Sequence, residues 1–190
     1  MTIDQRGSRR NGDRVPGLLA LLSGVPTVLR FERTAGDEVQ GVLDDPGVVV
    51  QVVRRLTRDG GWSIGVGAGP VQTPLPKSTR AGAGPAFVSA RNAVEAAKRR
   101  PVRVAVRGAV SEPATDAQAV LTALAALVER RSDQAWEAIE LVESGGTQAE
   151  AAAQLGITRQ AVGQRLAAGL WEVERDLRPA AARLLARAAG

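Results

Sequence analysis

The strongest constraint on the fold of this chain is a change of period along it. Up to Val106 the apolar residues fall into short alternating runs broken by short helical ones. After Thr115 they recur every three or four residues to the end. Alternation puts successive side chains on opposite faces of a strand, whereas three-to-four spacing lines one face of a helix. The expected fold class is therefore α+β, with a sheet-bearing part over residues 1–110 and an all-helical part over 111–190.

Within the first part, residues 1–3 are too short to define a strand alone, and Asp4 follows at once. Val15, Leu18, Leu19 and Leu22 are in helical register, with Pro16 in the first turn, where proline is tolerated. Residues 28–31 and 39–43 read as strands joined by the turn 33–38. Asp45 is placed to cap a helix with Pro46 at its first position and Val49, Val52, Val53 and Leu56 inward. Residues 62–68 alternate Trp62, Ile64 and Val66 against Gly65 and Gly67, a strand that a helix or ligand approaches closely. A Gly/Pro-rich loop over 70–84, a helix over 85–98 and a strand over 102–106 complete the part. The order is that of a ferredoxin-like or palm sheet, a split β-α-β motif with one extra helix-strand unit and helices on one face.

The split motif sets the first strand beside the third, which brings Asp4 towards Asp37 and Glu38. Carboxylates gathered at strand ends can hold Mg²⁺ and a triphosphate. Such a ligand would have basic partners in Arg91 and Lys98, and the glycines before Pro85 offer a helix N-terminus to an anion. The same residues also serve as an ordinary acidic turn and surface charges.

In the second part, residues 111–113 read as a linker and Thr115 with Gln118 as a capping box opening a helix to about 129. Ser132 caps the next helix, which buries Trp136, Ile139 and Val142. Residues 147–166 have helix-turn-helix spacing. Thr147 and Glu150 form a capping box, Gly156 suits a left-handed turn, and Ile157 fills the space between helices. Thr158 caps the second helix, and Val162 and Leu166 face inward. Thr158, Arg159, Gln160, Gln164 and Arg165 are then the candidate DNA-binding residues, at the start of a helix suited to a major groove. A plain helical hairpin has similar spacing. Leu170, Val173 and Leu177 continue as a stripe that packs on the helix from 115 or pairs two copies as a homodimer.

Charge bears on the choice of partner. The net charge is +5, but residues 1–110 carry 17 basic and 9 acidic side chains and residues 111–190 carry 8 and 11. The helix-turn-helix thus sits in the acidic half, which counts against DNA binding in its simplest form. Without histidine or cysteine, a Ser-His-Asp triad, a thiolate site and zinc hydrolase ligation are excluded. No apolar run reaches membrane-spanning length, so no membrane partner is expected and the cytoplasm is the expected compartment.

The set Asp4-Gln-Arg-Gly-Ser-Arg9, Thr34-Ala-Gly-Asp-Glu-Val-Gln-Gly41, Ile64-Gly-Val-Gly-Ala-Gly69, Gly84-Pro-Ala86 and Ala90-Arg91 resembles the SatD family of small bacterial proteins. The resemblance covers nearly the whole chain and implies a C-terminal helix-turn-helix. The first half is also similar to the palm-type domain of diguanylate and nucleotide cyclases. In that likeness Asp4 matches the metal-binding carboxylate after the first strand, and Gly36-Asp37-Glu38 matches the acidic hairpin. Lys98 falls near a phosphate-touching basic residue. Ala35 and Val39 depart from the hairpin pattern, the helical insert is shortened, and Gln5 and Arg6 stand where a second acid would follow. These departures count against cyclisation and leave nucleotide binding open.

The sequence thus points first to a transcriptional regulator that binds double-stranded DNA and carries a ligand-sensing or docking domain at its N-terminus. An Mg²⁺-dependent nucleotide-binding or cyclase-like enzyme is the second reading. The third is a scaffold whose helix-turn-helix holds a protein.

Overall fold

The computed structural model describes residues 1–190, apart from the side chains of residues 9 and 11. The chain runs β1 (Thr2–Gln5), α1 (Ser8–Asn11), α2 (Val15–Leu21), β2 (Leu29–Arg33), β3 (Glu38–Val42), α3 (Pro46–Asp59) and β4 (Trp62–Ala68). A 3₁₀ turn (Thr79–Ala81), α4 (Pro85–Ala97) and β5 (Val104–Gly108) follow. The remainder is helical: α5 (Ser111–Glu129), α6 (Asp133–Glu143), α7 (Gln148–Leu155), α8 (Arg159–Ala168) and α9 (Trp171–Ala189). The fold is α+β, with all strands before residue 109 as the change of period requires.

The sheet has the order β2-β3-β1-β4-β5. β4 and β5 are parallel and joined across α4, while the other neighbours are antiparallel. Strand alternation gives it two unlike faces. Ile3, Val39, Ile64, Val66, Val104 and Val106 are buried on one face, in a core shared with Val53 and Leu56 of α3 and Leu121 and Leu124 of α5. The other face has Gly65, Gly67 and Ala105, and there α4 lies almost on the strands. A Cβ on Gly65 would stand 2.3 Å from the Val94 nitrogen, and one on Gly67 2.2 Å from the Ala86 carbonyl oxygen. Helices therefore cover both faces, not one as expected, because the glycines give α4 a face of its own.

Several boundaries differ for local reasons. Asp4 lies inside β1, paired with Glu38 and Ser63, so it does not end the strand. Residues 111–113 form the first turn of α5, where Pro113 is tolerated. The expected capping box at Thr115 does not form. Its hydroxyl donates back to the Ser111 carbonyl at 3.0 Å, and Gln118 Oε1 instead accepts the Val106 N–H at the sheet edge, 3.2 Å away. Helix α8 stops at Ala168 because Leu170 turns left-handed, with φ 48°. Pro179 then sits within α9 at an exposed position without ending it.

One apolar core runs through both parts of the chain, from Ile3 to Ala188. The end of α9 closes on the sheet, where the Ala188 carbonyl accepts the Val110 N–H at 3.1 Å. Leu177 packs against that core, and Leu170 and Val173 of the expected stripe stay exposed. Among the described residues no helix is long and apolar enough to cross a membrane.

Candidate nucleic-acid interface

Helices α6, α7 and α8 form a compact unit whose turns are set by local hydrogen bonds. Thr147 Oγ1 accepts the Glu150 N–H at 3.2 Å, and Glu150 Oε2 accepts the Thr147 N–H at 2.7 Å. That backbone donor first, and then the Thr147 hydroxyl, holds the Glu150 carboxyl below its ordinary range. At the other end of α7, Gly156 is left-handed with φ 65°, and the Ile157 N–H closes on the Ala152 carbonyl at 3.1 Å. Thr158 Oγ1 then accepts the Ala161 N–H at 3.1 Å and starts α8. Val162 and Leu166 are buried with Ala151, Ala152 and Ile139.

The outward face of α8 is left open by this packing. Arg159, Gln160 and Gln164 are exposed, and their side chains have no hydrogen-bond or ion-pair partner among the described residues. With Gly163, Ala167 and Gln148 of α7 they line one shallow depression. Gln148 was not singled out from the sequence, although its place one residue after the Thr147 cap sets it beside Gly163. Thr158 is engaged as the cap. Arg165 departs from the expected set: its guanidinium turns back to Glu137 of α6 at 3.0 Å.

Four further arginines of the helical half, Arg130, Arg131, Arg175 and Arg178, could reach the phosphates of a duplex on this face, and most of them are engaged elsewhere. Arg131 and Arg178 both bind Glu174, which is fully buried. Arg178 reaches its two carboxylate oxygens at 2.7 and 2.6 Å, and Arg54 of α3 lies 3.4 Å from one of them. Glu143 accepts from Arg54 at 2.6 Å and pairs with Arg178. Trp136 lies among three guanidiniums, those of Arg58, Arg131 and Arg54, at 4.3, 4.8 and 5.1 Å from its ring centre. Arg58 also pairs with Glu140. This cluster ties α6 to α3 and α9. Arg175 stacks on Trp171 at 5.0 Å, and the Arg130 side chain has no partner among the described residues.

The second candidate site lies on the α4 face of the sheet. Asp4 and Glu38 face each other on adjacent strands as the split motif requires. Asp4 is closed off by Lys98, 2.8 Å away, which also binds Glu95 at 2.7 Å. Burial raises the Asp4 carboxyl above its usual range, against the pull of Lys98. Burial opposes the Lys98 charge, but Asp4 and Glu95 together outweigh it and leave the ammonium above its ordinary value. Glu38 accepts from the Thr34 hydroxyl at 2.6 Å and the Gln40 amide at 3.1 Å. Asp4, Asp37 and Glu38 do not assemble into a metal-holding group, and no other three acids do so among the described residues. Gly36 makes the hairpin turn, with φ 55°, and its carbonyl accepts from Arg33 at 3.2 Å. Arg91 shares a cleft with Glu38, Gln40 and Arg80, from which Lys98 is absent. The α4 N-terminus is not an open anion seat, since the Ala86, Phe87 and Val88 amides are bound to the Pro70 and Gly84 carbonyls.

No family model matches this chain, and neither a curated protein nor a solved structure matches it.

Proposed function

We propose that the chain binds duplex DNA through α8, as a transcriptional regulator whose sheet-bearing part receives a second signal. The observation that carries this reading is the unpartnered polar face of Arg159, Gln160, Gly163 and Gln164 on a helix capped at its start and buried behind. Arginine matches the O6 and N7 of guanine, and glutamine the N6 and N7 of adenine. The negative balance of the helical half is met inside the molecule. Glu140 and Glu143 of α6 are paired with Arg58 and Arg54 of α3, and Arg54 also lies against Glu174 of α9. The strand order β2-β3-β1-β4 and its antiparallel directions support a ferredoxin-like, palm-type sheet, extended by β5.

The test is selection from a random duplex pool, followed by binding of variants to the selected and to a scrambled duplex. Arg159→Ala and Gln164→Ala are each expected to cost about 1–3 kcal/mol on the selected duplex and little on the scrambled one. Enrichment of no sequence, with Arg159→Ala unchanged on both, would leave α8 as a protein-binding or structural helix.

Gly163 separates folding from recognition. It lies mid-helix, and a Cβ there would meet only Gln148 Oε1, at 3.7 Å, so nothing in the fold demands glycine. Gly163→Ala is expected to stabilise the protein by about 0.5–1 kcal/mol. It should nevertheless weaken binding to the selected duplex, because the added methyl stands between Gln160 and Gln164 on the approaching face. Melting curves and duplex titrations of the same variant read the two effects. A rise in both would show that α8 does not approach a surface closely.

A further inference from the structure

A cavity of about 630 Å³ opens at the end of the sheet, where β3 and β4 leave it and the two helical layers part. Its walls are largely apolar: Val42 and Val66 from the sheet, Val49 from α3, Phe87 from α4, and Leu185 and Ala186 from α9. The volume is in the range of small-molecule sites, which are mainly apolar with a few polar groups that orient the ligand. Two polar features stand out here. Thr2 lines the cavity, is fully buried, and its Oγ1 has no hydrogen-bond partner. Buried hydroxyls are normally satisfied, so this one has capacity for a bond that the chain itself does not fill. Asp44, exposed at the rim, is the one charged residue that lines the cavity, and among the described residues it has no ion-pair or hydrogen-bond partner. The Met1 amino group also reaches the wall, but it donates to the Gly41 carbonyl at 2.7 Å, and burial pushes its pKa down to about 5. Burial thus disfavours the positive charge it would otherwise set beside a ligand.

We infer that this cavity binds a lipophilic amine, with the apolar body between Phe87 and Leu185 and the cationic head at Asp44. A carboxylate at the mouth of an apolar cavity favours a cation over an anion of the same shape. Thr2 Oγ1 would supply a bond to a polar atom on the body of the ligand. The wall contributed by α9 gives the site its reach, since α9 also carries Glu174 and Arg178, which hold α6 under the helix-turn-helix. Any effect of the ligand on DNA rests on the function proposed above, whereas binding itself does not.

The test therefore uses no DNA. Decylammonium, decanol and decanoate share one chain and differ in head charge, and calorimetry of the full chain below their micellar concentrations reads each affinity. Decylammonium is expected to bind about fivefold or more tightly than decanoate, with decanol between them. Asp44→Asn should bring the charged pair to within about twofold while leaving decanol unchanged. Ala186→Trp, at an exposed position of α9, should fill the cavity and weaken all three without unfolding the chain. Decanoate binding as tightly as decylammonium, no binding of any of the three to folded protein, or full binding in Ala186→Trp would each overturn the assignment. Positive binding with no duplex selected would sustain the cavity and defeat the DNA reading alone.

Discussion

Glu174→Ala is expected to lower stability by about 3–5 kcal/mol, the cost of removing one partner from a buried ionic group. Glu174 is fully buried and is met by Arg131, Arg178 and Arg54. Its loss leaves the guanidinium of Arg131, whose side chain is 1% exposed, without a counter-charge, and leaves Arg54 and Arg178 to share Glu143. Those residues come from α9, the link between α5 and α6, and α3, so the damage falls on the joint that ties α6 to α3 and α9. Urea denaturation measures it, with Glu150→Ala as a surface comparison that removes only one half of a capping box. A loss below about 1 kcal/mol for Glu174→Ala would mean that solvent reaches the cluster and screens it. Acid reads the same joint. Burial raises the Glu143 carboxyl, but Arg178 and Arg54 outweigh it and hold it below its ordinary 4.5. With the folded value depressed, its contribution is complete above 4.5 and is lost as pH falls through the folded value. Glu143→Gln should flatten the stability profile in that acidic window.

The same cluster explains what the sequence could and could not reveal. Local signals were legible. The alternation of Trp62, Ile64 and Val66 against two glycines is β4 over Trp62–Ala68, with a helix seated on the glycines. Asp45 and Pro46 start α3, Thr147 and Glu150 start α7, and Thr158 starts α8, each through contacts within three residues. Long-range pairings were not legible. Arg165 has the look of a base-reading residue until Glu137, a helix away, claims it. Arg178 looks like a surface cation until Glu174 and Glu143 enclose it. Gln118 matches a capping box by spacing, but the free amide at the edge of β5 takes its carbonyl. The uneven charge of the two halves has the same origin. The positive surplus of the sheet half includes Arg54 and Arg58, which neutralise acids of the helical half across their contact.

Gly67→Ala is expected to be, with Gly65→Ala, among the most damaging single-methyl changes in the sheet, and Gly67→Val to abolish the fold. Neither Gly65 nor Gly67 has a positive φ, so backbone conformation does not require glycine at either position. Space does. A Cβ on Gly67 would lie 2.2 Å from the Ala86 oxygen and 2.4 Å from the Ala90 nitrogen, both backbone atoms of α4. A flexible side chain could swing aside, but a helix backbone moves only as a body, taking Ala90, Ala93 and Ala97 off the sheet with it. Overpacking of a core costs about 1–3 kcal/mol where neighbours can adjust, and this site is expected to reach or exceed the upper end. Gly17→Ala in α2 is the matched comparison, because a Cβ there meets nothing within 4 Å and should be neutral or slightly stabilising. Thermal denaturation of the two variants decides the point. Equal melting temperatures would mean that α4 is not seated on β4 as described. The consequence reaches the cavity, since Gly67 and Phe87 both line it and the glycine sets the height of α4 above the strand. Decylammonium should therefore bind Gly67→Ala differently from the wild type even at temperatures where the variant stays folded, while its affinity for Gly17→Ala should not change.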